Sequence, residues 1–525
     1  MKTPLIVLAA GYISETLYGD LGKIRTSLLP VGGGSLVEFN CAIFGNDFES
    51  YVACHYSDLI TKSYLKIKAR NVIEINGDAS IREALVQSLD HLIAIYKHDF
   101  SFQLLFGDTT VKPNTDKNFI SLISSRQDFS DWTSVYEFGG ELIFQTPARQ
   151  NESIVAGYFG FSSAMQLRNA LLNSNSFYDA VSQYHRTTEK LNYRIAENWL
   201  DFGRINTLHM SRMNLLTSRT FNSVKADKTT NTIRKSSRDL KKIREEINWY
   251  TQLEDWNMSH IAPHLKDYSF EEGWYETEYC LQPNMAEIFL FSKKSMGYWH
   301  RFFTAIEDYF SKWISIANLD PTQSNIDKIR AKYLEKLDTR MKLLRNQSPE
   351  LFKVKFNLGI NQIYLDDYIN LIRLDLEDFE PKPMRIIHGD FFFGNIFFWD
   401  ELNRIVCIDP LGISYEDIVF DLHYDFAKLS HSIFGGYDFL AANLFSSGIL
   451  NEIPFLEIPW QEHHNEIKLL ASDSFNNFEK FADVSREQIR KLEAFLFLTL
   501  APLHQESSSR QLASIIRSTQ VYVGK

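Results

Sequence analysis

Asp390 is followed five residues later by Asn395 and then by Asp409, within His388-Gly389-Asp390-Phe391-Phe392-Phe393-Gly394-Asn395 and Ile408-Asp409-Pro410. Phosphoryl transfer needs three such groups. One carboxylate orients the attacking hydroxyl and accepts its proton, while an amide oxygen and a second carboxylate hold Mg²⁺ on the nucleotide phosphates. A turn between two strands could also contain Asp and Asn, but it does not require so long an ordered pattern. The apolar runs Met384-Arg385-Ile386-Ile387, Ile396-Phe397-Phe398 and Ile405-Val406-Cys407-Ile408 flank the polar residues. They read as short buried strands that would hold those residues at the floor of a cleft.

The elements that must position this chemistry lie upstream. Thr220 to Lys225 and Asn231 to Lys235 read as two strands joined by a turn at Asp227-Lys228, and Asp239 to Leu253 carries helical spacing with Leu240, Ile243, Ile247 and Tyr250 on one face. Lys235 near a strand end and Glu246 on the next helix have the order of a lysine–glutamate pair that positions α/β-phosphates. Glu245 is the alternative partner, and the run of charges from Arg234 to Glu246 also reads as a solvated face. No glycine lies between Thr220 and Lys235, so a Gly-rich phosphate loop is not legible there.

The segment 384–430 resembles the C-lobe signature of the aminoglycoside phosphotransferase and choline kinase family, relatives of the protein kinases. The resemblance implies that Asp390 is the catalytic base, that Asn395 and Asp409 are Mg²⁺ ligands, and that His388 braces the loop. Asp425, in Tyr424-Asp425-Phe426-Ala427-Lys428-Leu429, would support that loop from a helix. Glu278-Tyr279-Cys280-Leu281 resembles the hinge whose backbone meets adenine, at Glu278 and Cys280; it also reads as an ordinary strand end. The implied domain is an α+β, protein-kinase-like, two-lobed one over 216–525, with a small lobe over about 216–282 and a large lobe over about 283–525.

That leaves residues 1–215 for another domain. Leu5-Ile6-Val7-Leu8-Ala9-Ala10-Gly11 reads as a buried first strand rather than a signal peptide, because its apolar run is short and ends at a glycine. Leu-Ala-Ala-Gly resembles the opening of the sugar-phosphate nucleotidyltransferases. Later landmarks of that family recur in order at Ser27-Leu28-Leu29-Pro30, Leu104-Leu105-Phe106-Gly107-Asp108, Ala156-Gly157-Tyr158-Phe159-Gly160-Phe161 and Trp199-Leu200-Asp201-Phe202-Gly203. This likeness implies a GT-A-like (Rossmann-like) α/β domain whose Gly11 loop cradles an NTP and whose Asp108 and Asp201 hold a metal. Nucleotidyl transfer brings a phosphate oxygen in line with an α-phosphorus, and Mg²⁺ between two aspartates screens the charge that builds there. The family's loop arginine is absent and Arg25-Thr26 replaces its Pro-Lys, so Lys23 and Arg25 are the cations that could substitute. Asp201-Phe202-Gly203 imitates a kinase Asp-Phe-Gly but precedes the kinase-like segments. Gly77-Asp78 reads as a helix cap before Ile81 to Leu92.

Composition sets limits. A net charge of −11 argues against a nucleic-acid partner. The four cysteines form no Cys-x-x-Cys, which suits a reducing cytoplasm and neither a disulfide frame nor zinc. No run approaches the ~20 apolar residues that span a bilayer. The aromatic stretch 284–315 reads as core rather than as a cage for a quaternary ammonium. The stretch 318–346 reads as a loop and a charged helix with Ile326, Ile329, Tyr333, Leu337 and Met341 inward, and Ser211 to Arg219 as the domain junction. The expectation is a bifunctional cytoplasmic enzyme that uses ATP and Mg²⁺ to phosphorylate a sugar or amino alcohol, then joins the product to CTP, GTP or UTP for surface decoration. The alternatives are a choline kinase/phosphocholine cytidylyltransferase, a kinase carrying a degenerate nucleotide-sugar-binding domain, and a GT-A glycosyltransferase.

Overall fold

The computed structural model describes residues 2–45, 47–124, 132–149, 152–215, 222–414 and 419–524. They fall into two compact units, Met1–Leu215 with Phe291–Lys293, and Leu216–Leu290 with Lys294–Lys525. The strand start expected at Thr220 and Phe221, and residues 216–219 of the expected junction, lie outside the described residues.

The first unit is built on one mostly parallel sheet. Strand Thr3–Leu8 lies between Phe48–His55 and Phe102–Phe106, parallel to both, and Asn71–Ile75 extends the sheet beyond Phe48–His55. Leu5, Ile6 and Val7 have no exposed surface, as a central strand covered on both faces requires. Their side chains alternate: Ile6 joins a core with Ile73, Leu85, Leu104 and Phe159, while Leu5 and Val7 join another with Val52, Leu105 and Tyr158. Ser153–Phe161 runs antiparallel beside Phe102–Phe106 and carries the sheet into Phe119–Ser124 and the hairpin Ser134–Phe138/Glu141–Gln145. The order of the parallel strands reverses between Thr3–Leu8 and Phe102–Phe106. In an open α/β sheet, the crevice at the carboxyl ends of such a pair is where ligands bind, and here it is formed by Ala9–Gly11 and Gly107–Asp108.

The second unit begins with an antiparallel sheet ordered Asn222–Asp227, Thr232–Ser237, Trp274–Glu278, Leu265–Ser269. Helix Leu240–Asp255 starts at Asp239, whose side chain accepts from the Lys242 amide. The rest of this unit is mainly helical. Helix Met296–Ala317 buries Trp299, Phe302, Phe303, Phe310 and Trp313, so the aromatic stretch is core. Tyr309 stacks on Phe391 at 4.8 Å, and Trp299 and Phe302 meet Phe393. This helix is therefore the apolar bed beneath the Asp390 loop. Helix Gln323–Gln347 buries Ile329, Tyr333, Leu337, Met341 and Leu344, with Ile326 half-buried. Strands Ile396–Trp399 and Arg404–Cys407 pair as a hairpin turning at Asn403.

Candidate active sites

In the first unit, Asp108 follows the strand end at Phe106 through Gly107. A Cβ on Gly107 would lie 2.5 Å from the Leu8 carbonyl oxygen and 2.8 Å from Thr26 Oγ1, so only glycine lets the two strand ends approach. Asp201 arrives on the short strand Leu200–Asp201, opposite Thr109, and the Phe202 amide donates to the Asp108 carbonyl at 2.8 Å. The two carboxylates face one cradle: a Cβ on Gly203 would stand 2.8 Å from Asp108 Oδ2 and 3.4 Å from Asp201 Oδ1. Thr207 Oγ1 donates to Asp201 Oδ2 at 2.5 Å. Burial raises both carboxyls, Asp201 to about 7 with Asp108's charge adding to the rise, while Arg204 draws both down. Two buried carboxylates converging in this way suit a hard cation with oxygen ligands.

The Gly11 loop lies at the same crevice. Gly11 O accepts from the Thr26 amide at 2.9 Å. Arg25 is buried; it donates to Ala10 O at 2.8 Å, reaches Asp78 Oδ1 at 3.4 Å and lies 3.6 Å over the Tyr12 ring. Lys23 is exposed and lies 4.6 Å from the centre of the same ring. Arg25 thus has its charge shared with Asp78, and Lys23 is the more available cation. Gly77-Asp78 does not cap a helix. Ser80 does, in a capping box with Glu83, and the helix runs Ile81–Tyr96. The Ser-x-x-Glu spacing competed with Gly-Asp for that role and won. Sequence reasoning passed over Tyr12, Arg204 and Thr207; a basic residue directly after Asp201-Phe202-Gly203 was the available signal.

In the second unit, segments far apart in sequence converge. Lys235 Nζ lies 2.8 Å from Glu246 Oε2 and 3.0 Å from Asp409 Oδ1, and Tyr275 OH donates to the same Glu246 oxygen at 2.9 Å. Glu246 is fully buried, whereas Glu245 is half-buried near Lys241. Burial works against the Lys235 charge, but Asp409 and Glu246 outweigh it and hold the ammonium above its ordinary range. Asp409 sits at φ 54°, a left-handed conformation that aspartate tolerates better than most residues. Just beyond it, Gly412 at φ 95° passes so close to the helix that a Cβ would meet Glu246 N at 2.8 Å. The Ile413 amide donates to Glu245 O at 2.8 Å, and Asn248 Nδ2 to Ile413 O at 3.2 Å.

The Asp390 loop is held from beneath. Asp425, fully buried, accepts from the His388 amide at 2.8 Å and the Gly389 amide at 2.7 Å. Burial pushes its carboxyl up to about 7 against those two bonds. His388 Nε2 lies 3.0 Å from Ile408 O, and Nδ1 accepts from the Asp390 amide at 3.3 Å. Burial lowers this imidazole to about 4 despite nearby Asp390, so it is a neutral brace. Asn395 Nδ2 donates to both Asp390 O and Oδ2 at 3.0 Å, which turns its amide oxygen away from those bonds. Lys428 Nζ pairs with Asp390 Oδ1 at 2.8 Å. Burial would raise the Asp390 carboxyl, but Lys428 outweighs it and holds the group below its ordinary range. Lys428 falls within the Tyr424–Leu429 motif, yet the motif gives it no role.

Glu278 ends its strand with its amide donating to His264 O at 3.1 Å and its carboxylate 2.6 Å from Lys266. Cys280 is buried against Phe397 and Val406. Its thiol is packing, so any nucleotide contact there falls to the backbone.

No family model matches this sequence, and no curated protein matches it. Solved structures show faint likenesses over the N-terminal portion. The inositol-1-phosphate CTP transferase from T. maritima is 14% identical, with 39% of this chain and 90% of that one covered and a TM-score of 0.32. A UTP-bound UGPase from Acinetobacter baumannii is 14% identical, over 41% of this chain and 94% of that one, at 0.32. The CTP:phosphocholine cytidylyltransferase from Streptococcus pneumoniae is 11% identical, over 41% and 100%, at 0.32. Likeness this faint does not determine an activity, and the chemistry rests on the residues themselves.

Among the described residues no group of three or more His, Cys, Asp or Glu side chains forms a metal site. Instead, the first unit offers two converging protein oxygens, from Asp108 and Asp201, and in the second the amide of Ile408, the residue before Asp409, donates to Asn395 O at 3.0 Å. The two converging oxygens fit Mg²⁺, which keeps waters and takes its remaining ligands from substrate phosphates. No helix is long and apolar enough to cross a membrane among the described residues.

Proposed function

We propose that this chain is a two-activity enzyme: the second unit phosphorylates a small alcohol with ATP, and the first joins the resulting phosphate ester to a nucleotide. The carrying observation is the assembly of Lys235, Glu246 and Asp409 from three separate segments, with Asp390 held apart by Lys428 and Asn395. In this reading Lys235, fixed by Glu246, binds the α/β-phosphates. Asn395 and Asp409 hold Mg²⁺, which supplies neutralisation of the phosphate charge. Asp390, ionised at neutral pH, accepts the proton of the acceptor hydroxyl as its oxygen approaches the γ-phosphorus. The small lobe is the sheet and helix around Lys235, and the strand end at Glu278 to Cys280 is where adenine would lie.

In the first unit, Gly11, Lys23 and Arg25 would meet the triphosphate, while Asp108 and Asp201 would hold Mg²⁺. Its convergent buried carboxylates support transfer. The commitment of Arg25 to Asp78 supports the second reading, in which this unit binds a nucleotide or sugar without turning it over.

The test offers the full chain ATP and Mg²⁺ with sugars and amino alcohols, then adds CTP, GTP or UTP. A phosphate monoester followed by pyrophosphate is expected. Absence of ADP with every acceptor overturns the kinase reading, and accumulation of the monoester with every NTP overturns the transferase reading.

A further inference from the structure

The kinase reading leaves the acceptor open between a sugar and an amino alcohol, and the side chains beside Asp390 discriminate between them. Helix Leu422–Ile433 places Tyr424 and Lys428 one turn apart, both half-buried. Lys428 pairs with Asp390 and also lies 5.9 Å over the Phe392 ring. From helix Gln323–Gln347, Lys336 Nζ donates to Tyr424 OH at 2.7 Å and lies 5.0 Å from the centre of that ring. Among the described residues Lys336 has no carboxylate partner. The carboxylates flanking Tyr424 on its own helix and cap are occupied inward: Asp421 accepts from Tyr333 OH and the Lys382 amide, and Asp425 from the His388 and Gly389 amides.

A quaternary ammonium or an amine is recognised by open aromatic faces and a free carboxylate. Here the faces of Phe392 and Tyr424 already carry lysine ammoniums, and Asp390 already pairs with one. Burial pushes the Tyr424 phenol up, yet the adjacent Lys336 and Lys428 outweigh it and hold it below its ordinary range. One helical turn is about 5–6 Å, comparable to the reach of a hexose from one end to the other.

We infer, on the kinase reading, that the acceptor is a sugar bearing an anionic substituent, a phosphate or a carboxylate, which Lys336 and Tyr424 hold while the reacting hydroxyl meets Asp390. The hydroxyl oxygen bonds to the γ-phosphorus, the bond from that phosphorus to the bridging oxygen breaks, and ADP leaves with the electron pair. The hydroxyl proton passes to Asp390 and then to solvent.

The experiment measures ADP formation by the full chain with glucose, glucose 6-phosphate, glucuronate and choline. The expected result is that an anionic sugar is used with kcat/KM at least about 10-fold above glucose, with no turnover of choline. Lys336→Gln should raise the KM of that acceptor about 10-fold, the size of a lost charged contact, with kcat and the KM for ATP unchanged. Lys336→Arg should restore it. Tyr424→Phe, which removes one hydroxyl and no packing, should raise the same KM if the glutamine variant misfolds. Choline or glucose as the best acceptor, or an unchanged KM in both variants, overturns the anion subsite while leaving the kinase standing. Failure of the wild type to bind Mg·ATP or to form ADP with any acceptor overturns the kinase reading and this inference with it.

Discussion

The two units treat the carboxylates of their candidate sites in opposite ways. In the first, Asp108 and Asp201 converge on one small cradle, and burial leaves both reluctant to ionise. In the second, each functional carboxylate already has an ammonium: Lys428 for Asp390 and Lys235 for Asp409. A cation bound between Asp108 and Asp201 would offset the cost of ionising them. In the second, Lys428 holds the Asp390 carboxyl below its ordinary range, and an incoming Mg·ATP would have to share Asp409 with Lys235.

The largest effect expected from breaking this contrast is in the second unit. Asp390→Asn should lower phosphoryl transfer by about 10²–10⁴-fold, the usual range for loss of a general base, and leave pyrophosphate release from a supplied phosphate ester unchanged. A stopped-time assay of each half-reaction checks it, and damage to both halves in a folded protein would contradict the separation. Asp108→Ala should stop formation of the nucleotide-linked product while ATP is still consumed, so the phosphate monoester accumulates. Product analysis of wild type and variant side by side decides whether that unit turns over at all.

Smaller effects sharpen the comparison. Glu246→Gln removes the charge facing Lys235 at constant volume. It should raise the KM for ATP about 10-fold and lower stability by less than the loss of a sole partner would, because Lys235 keeps Asp409; kinetics and denaturant titration read the two separately. In the first unit, a carboxyl raised to about 7 is protonated below that pH, so a cation must displace a proton. Affinity for Mg²⁺ should therefore rise with pH through about 7, with a proton released on binding, as calorimetry in two buffers would show. The same sign applies to folding. The raised group binds more protons folded than unfolded, so it costs stability as pH climbs from the ordinary carboxylate range towards 7. Asp201→Asn should accordingly melt a few degrees higher than wild type at pH 8 without Mg²⁺. A lower melting temperature would mean the carboxylate is stabilised by something other than a cation.

Much of this was legible because the informative patterns are local. Apolar runs bounded by glycine or polar turns marked Thr3–Leu8 and the hairpin Ile396–Cys407, and helical spacing marked Leu240–Asp255. The positions of Asp108, Asp201 and Asp409 could be proposed because each ends a strand or closely follows one, and Asn395 because it directly precedes one. What the chain order hides is partnership across long separations. Nothing in the sequence says that Arg25 meets Asp78 rather than open solvent, or that Lys428 reaches Asp390. The choice between Glu245 and Glu246 turned on helix rotation, which a run of alternating charges leaves undetermined.

The close passage of Gly412 against helix Leu240–Asp255 has a mechanical consequence. The Ile413 and Asn248 bonds tie that helix to the segment bearing Asp409, while Glu246 ties it to Lys235 and Tyr275 of the four-stranded sheet, so the helix is a bracket between the sheet and the floor of the cleft. Swinging the helix outward to uncouple Glu246 from Lys235 would break the one backbone bond from Ile413 to Glu245 and pull on the segment that carries Asp409. Any rotation of the helix must therefore break contacts on both of its sides at once.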